Sequence, residues 1–245
     1  MKVAIAIVAH KDRAKQVDRL VDWVDPDYVS WDDGTLGPAE NHLRAWENLA
    51  EEDAEVCLVL EDDAVPVANF RSELSRVLAV APTDLVSLYL GKGRPPHWQP
   101  TLAKVFGSLD RRLYPNAPDP SWLIADEVLH GVALAMKPSL IADMLPVVRR
   151  STQPRRRHRL PVDEAIGAWA RSAGIRVSYS LPSIVQHGDL PTLITEHTTG
   201  HSGDTGIRDQ PRRAWAMGTR RRWDGTSVEA PAPAPVTRPL SSIKR

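Results

Sequence analysis

The chain has 245 residues with 31 basic and 31 acidic side chains, a formal net charge of zero, and a hydrophobic share of 42%. Those figures suit one large α/β domain or two small ones with a real core, and they exclude a global field that would draw nucleic acid. Cys57 is the single cysteine, so no internal disulfide forms. Its place inside an apolar run predicts a buried structural thiol and a reducing, cytoplasmic compartment. No apolar stretch approaches the ~20 residues of a membrane span, and residues 1–8 are too short and too soon followed by His10, Lys11, Asp12 and Arg13 for a signal peptide.

Residues 3–8 read as a buried strand, and residues 14–24 as a helix with Val17, Leu20, Val21 and Val24 on one face. A second strand is expected at residues 27–31, closed by the turn Asp32, Asp33, Gly34. Pro38 opens a helix running to about Glu51, with Leu43, Trp46 and Leu49 inward. This β/α alternation predicts a Rossmann-like, mixed but mainly parallel sheet flanked by helices. It continues through a strand at 56–60, a helix at 70–80 and a strand at 84–90.

Residues 91–120 break the pattern with loop signals around a weak strand at 102–106. A buried strand at 128–136, helices at 138–148 and 161–173, and a short strand at 176–180 follow. Beyond Pro182 the chain reads as mostly turn. Residues 1–223 are expected to form one domain, and 224–245 a disordered Pro/Ala-rich tail.

The most informative motif is Glu61, Asp62 and Asp63 at the end of the apolar run 56–60. Sheets of this kind bind ligands just outside their strand carboxyl ends. Adjacent carboxylates beside a buried strand repel one another and lose solvation, so a hard divalent ion such as Mg²⁺ or Mn²⁺, bridging to phosphate, is the economical partner. In the same crevices Ala9, His10 and Arg13 after strand one, with Asp32, Asp33 and Gly34, are candidates for a nucleotide, Arg13 for phosphate and an Asp for ribose hydroxyls.

Two motifs at a fitting separation carry a resemblance. Gly37, Pro38, Ala39, Glu40, Asn41, His42, Leu43, Arg44, Ala45 and Trp46 match a Gly-x-x-x-Ser-His-x-x-x-Trp helix, with Asn41 in place of Ser, and the strand ending in Glu61, Asp62 and Asp63 follows. The segment resembles glycosyltransferase family 25, the lipopolysaccharide and collagen sugar transferases of GT-A type fold. Residues 131–136 and Pro161, Val162, Asp163, Glu164 extend the likeness. It implies a metal-dependent hexosyltransferase that uses a nucleoside-diphosphate sugar, UDP-sugar favoured, with a glycan or protein acceptor. By that resemblance Asp63 ligates Mn²⁺ (or Mg²⁺), and Glu61 and Asp62 bind through water or to the donor's ribose or sugar. Asn41 joins the donor site and His187 is a second metal ligand. At the start of a helix, Asp163 or Glu164 is the candidate general base that an inverting reaction requires.

Two other classes fit parts of the chain. The Arg runs at 149–150, 155–159 and 220–222 suit a nucleic-acid-binding protein or a transferase acting on DNA. Strand-end carboxylates also suit a metal-dependent phosphoesterase, although His10, His130 and His187 are scattered for such a site.

Overall fold

The structure, a computed structural model, describes residues 1–110, 112–116, 119–153, 160–188, 190, 193 and 212–233. β1 (Val3–His10), six of whose residues are buried, has β2 (Tyr28–Asp32) and β3 (Val56–Glu61) pairing parallel on its two sides. Coverage on both faces is why β1 and β3 carry apolar runs without alternation. α1 (Ala14–Val24) joins β1 to β2 and buries Val17, Leu20 and Val24; α2 (Pro38–Ala50) joins β2 to β3 and buries Leu43, Trp46 and Leu49.

The chain continues through β4 (Ala64–Pro66), α3 (Phe70–Leu78), β5 (Leu85–Ser87), α4 (Gln99–Ser108), β6 (Trp122–Ala125) and β7 (Ala133–Met136). Then come α5 (Pro138–Thr152), α6 (Val162–Ser172), β8 (Val177–Ser180), β9 (Val185–His187) and β10 (Ser227–Glu229). Among the described residues the main sheet has eight strands in the order β2-β1-β3-β7-β5-β8-β6-β10, and β4 pairs with β9 in a separate ribbon. β7 runs antiparallel to both β3 and β5, and β6 antiparallel to β8. The sheet is mixed: β2-β1-β3 run parallel, as do the neighbouring pairs β5-β8 and β6-β10.

Helices cover both faces. Cys57 and Val59 of β3 pack with Leu43, Trp46 and Leu49 of α2 and Ile141, Met144 and Val148 of α5. On the other face Leu58 and Leu60 meet Val17 and Leu20 of α1 and Leu74 and Val77 of α3. Each such buried side chain contributes about 1.5–3 kcal/mol, so burial of these stripes, more than helix propensity, holds the helices on the sheet. Cys57 is buried as expected; its Sγ lies 3.3 Å from the Leu49 carbonyl, and burial pushes the thiol up to about 11.

Three expectations are corrected. Residues 102–106 belong to α4, where Leu102 and Val105, three apart, turn inward behind Pro100 in the first turn. In the 128–136 run only Ala133–Met136 is strand, because Val128, Leu129 and Val132 are buried from a loop. Nor is the segment from Asp224 a structureless tail. Asp224 accepts from the Thr226 N–H at 3.0 Å in an Asx turn, and Ser227–Glu229 then pairs with the edge of β6 and carries buried Ala230. Residues 234–245 lie outside the described residues.

Candidate functional site

Side chains alternate along a strand. Cys57 and Val59 face α2 and α5, while Leu58 and Leu60 face α1 and α3. The same alternation sends Glu61 to the α2 side and Asp62 to the α1 side. Asp62 is buried; its Oδ2 accepts from the His10 N–H at 3.0 Å and its Oδ1 from Arg13 Nη1. Arg13, at the end of the 3-10 turn Lys11–Arg13, also donates to Asp63 Oδ2 at 3.1 Å. Burial raises both carboxyl pKa values, with Arg13 opposing; Arg13 itself is held above its ordinary value because the two acids outweigh its burial. Part of the compensation expected from a metal thus comes from an arginine, and Arg13 reaches the acids rather than standing apart as a phosphate ligand.

Asp63 stands at the tip. The β4–β9 ribbon sets Ala64 opposite His187, and this brings His187 Nε2 to 3.7 Å from Asp63 Oδ2 and 3.3 Å from Arg212 Nη1. Asp63 Oδ1 is buried with no hydrogen-bond partner among the described residues. The two expected metal ligands, 124 positions apart in sequence (187 − 63), therefore meet. Among the described residues no three His, Cys, Asp or Glu side chains converge as a ligand set. An orphaned carboxylate oxygen beside an imidazole fits a cation that draws its remaining ligands from substrate oxygens.

On the α2 side, His42 Nε2 lies 3.3 Å from Glu61 Oε1. Burial would raise Glu61, but the hydrogen bond and charge of His42, together with His187 and Arg13, bring it below the usual carboxylate value. Gly131 borders the same oxygen, and a Cβ there would stand 2.8 Å from Glu61 Oε1 and 3.5 Å from Asp163 Cβ. Asp163, in the first turn of α6, is pushed up to about 6 by burial and then by Glu61. Glu164 is exposed, and its N–H donates to Asp163 Oδ1 at 2.9 Å. Of the two candidate bases, Asp163 is the one beside the acidic tip. His130 packs on Tyr89 with ring centroids 4.8 Å apart and accepts from the Gly91 N–H at 3.1 Å. Burial pushes it down to about 3, which keeps it neutral.

The nucleotide candidates divide in two. His10 and Asp32 are in register at the ends of β1 and β2, and Gly34, at φ +97, lies against Lys11 and His10, so His10, Asp33 and Gly34 share one crevice. Asp32 turns into the scaffold instead: it accepts from the N–H groups of Gly34, Leu36 and Gly37 at 2.8, 3.0 and 2.9 Å. Asn41 does the same, donating to the Ala9 carbonyl at 3.0 Å and accepting from Ser30 Oγ at 2.7 Å. Both shape the crevice by holding its backbone.

A separate concavity of about 410 Å³ is lined by Trp98, Asp126, Glu127, Arg171 and Arg176 and contains none of the acidic-tip residues. Its charges pair among themselves or with Glu229, which makes it the poorer candidate. The Arg segments are likewise engaged: Arg149 pairs with Glu40 and Glu47, and Arg220 with Asp119. Residues 155–159 lie outside the described residues. No helix among the described residues is long and apolar enough to cross a membrane.

No protein-family model matches the chain, and no curated protein does. Among solved structures, A197 from STIV is similar over 76% of this chain and 85% of its own length, at 13% identity and a TM-score of 0.41. At that score the likeness carries no inference about fold family or function.

Proposed function

We propose that the chain is a metal-dependent glycosyltransferase of GT-A-like architecture, acting in the cytoplasm on a nucleoside-diphosphate sugar, UDP-sugar favoured, and on a hydroxyl of a glycan or protein acceptor. The observation that carries this reading is the meeting of Asp63 and His187 at 3.7 Å, with an unpartnered buried carboxylate oxygen between β3 and the β4–β9 ribbon. Asp63 and His187 would hold Mn²⁺ (or Mg²⁺), the imidazole favouring Mn²⁺. When bound, the ion supplies Lewis-acid stabilisation of charge on the departing diphosphate.

The chain's own residues take the other roles. Arg13 holds Asp62 and Asp63 in place and keeps the acidic tip from repelling itself apart. His10, Asp33 and Gly34 border the crevice where the nucleotide would lie. Asp163, with a pKa raised to about 6, is suited to accept the proton of the acceptor hydroxyl as that oxygen attacks the anomeric carbon. The test is a thermal-shift panel of UDP-, GDP- and CMP-sugars with and without Mn²⁺. A diphosphate nucleotide is expected to raise the melting temperature only with metal, and Asp63→Ala to abolish the rise. Absence of a metal-dependent rise, or an equal rise in the variant, overturns the reading.

A further inference from the structure

The three acids of the tip are not equivalent. Arg13 donates to both Asp62 and Asp63, whereas the side-chain partner of Glu61 among the described residues is His42, whose Nε2 lies 3.3 Å from Oε1. His42 is only 4% exposed, on the inner face of α2 next to Leu43 and Trp46. The Glu61 side chain is 31% exposed, so the His42–Glu61 pair is not sealed from solvent.

The Nδ1 of His42 is buried with no hydrogen-bond partner among the described residues. With Nδ1 unpartnered, Nε2 is the ring nitrogen placed to donate to Glu61. A carboxylate that accepts from an imidazole at one oxygen keeps the other oxygen's lone pairs for a ligand.

Gly131 completes the slot. The Glu61 N–H donates to the Val132 carbonyl at 3.0 Å, which draws the 131–132 backbone against the strand tip, and only a residue without Cβ leaves room for Oε1. The slot therefore has a donor wall from α2, a gap at Gly131, and Asp163 beyond.

We propose that His42 is a positioning residue that holds Glu61 in the gap left by Gly131, so that the open edge of Glu61 accepts hydroxyls of the donor's sugar ring. This rests on the sugar-transferase reading and assigns one part of it. Sugar hydroxyls suit the slot because they donate to a carboxylate without needing the charge that a phosphate contact requires. Loss of a hydrogen bond to a charged group corresponds to about tenfold or more in affinity.

The experiment is calorimetric titration with UDP, UDP-glucose and UDP-galactose in the presence of Mn²⁺, on wild type, His42→Leu, His42→Gln and Gly131→Ala, each first checked for a cooperative melt. In wild type at least one UDP-sugar is expected to bind about tenfold tighter than UDP. His42→Leu and Gly131→Ala are expected to keep their affinity for UDP and lose the sugar increment, and His42→Gln, whose amide N–H₂ reaches the place of Nε2, to recover most of it. Gly131→Ala keeps the test open should His42→Leu not fold. An unchanged increment in His42→Leu or Gly131→Ala, an equal loss for UDP itself, or a glutamine variant no better than leucine overturns the assignment while UDP binding leaves the wider reading standing. Failure of wild type to bind UDP or either UDP-sugar overturns this assignment, and the wider reading falls with it only if the thermal-shift panel shows no metal-dependent rise with any diphosphate nucleotide.

Discussion

Gly188 lies directly on the backbone of Asp63: its N–H donates to the Asp63 carbonyl at 2.7 Å, and a Cβ on it would stand 2.6 Å from that same oxygen. The contact follows the last residue of β9 and so fixes where His187 meets the acidic tip. Gly188→Ala must push the ribbon away from the tip. It is expected to destabilise the fold by about 1–3 kcal/mol, as overpacking does, and to weaken Mn²⁺-dependent nucleotide binding. Urea unfolding and the metal thermal shift measure the two effects.

Arg13 offsets two buried carboxylates at once. Removing one partner of a buried ion pair strands the other, at about 3 kcal/mol or more. Arg13→Met is expected to lower stability by that order at neutral pH. Because the stranded acids can then protonate, the deficit should shrink as pH falls towards 4. Denaturant titrations of both proteins at pH 7 and pH 4.5 check this.

Asp163 makes the pH argument run the other way. Its folded pKa of about 6 lies above the ordinary 3.8, so between these values the folded state holds more protons than the unfolded one. Its contribution is greatest below about 4, declines as pH rises to about 6, and is flat above. Asp163→Asn removes that decline and is expected to stabilise the ligand-free protein at pH 7.5 by roughly 2 kcal/mol. Transferase activity is expected to fall in the same variant, and the wild-type rate to rise with pH through about 6. Melting curves across pH, paired with initial rates, test both.

Asp32 and Asp33 differ in what they hold. Asp32 is buried and accepts three backbone N–H groups leading into α2, whereas Asp33 is exposed and, among the described residues, bonds only Thr35. Asp32→Ala is expected to cost about 1–2 kcal/mol, the range of a lost helix cap. Asp33→Ala should stay within about 0.5 kcal/mol. Hydrogen exchange at the Gly34, Leu36 and Gly37 amides should accelerate in the first variant alone.

The sequence was most legible where one element meets one periodicity. Strands β1 and β3, and helices α1 to α3, declare themselves because their apolar residues are continuous or recur at helical spacing over a full element. α4 was misread because residues 102–106 are a short apolar run, which period alone does not assign. β6 and β9 are four and three residues long and are strands only because neighbouring strands supply their backbone partners. In the site, the place of the acids followed from β3, and Asp163 from a helix start. The pairing of Arg13 with Asp62 and Asp63 joins residues about fifty positions apart and has no local signal. His42 and Gly131 both lie within motifs, yet their meeting at Glu61 depends on α2, β3 and the loop before β7 arriving together, and no local spacing encodes that.

The antiparallel β7 sits between β3 and β5, in the middle of the sheet, although it comes from the second half of the chain. A cut between α4 and β6 would leave an early fragment with three open inner edges, one on β3 and both on β5, and a late fragment holding the strands β7 and β8 that fill them. Neither piece could close its own sheet. The halves are complements, so co-expressed fragments should regain the fold where each alone aggregates.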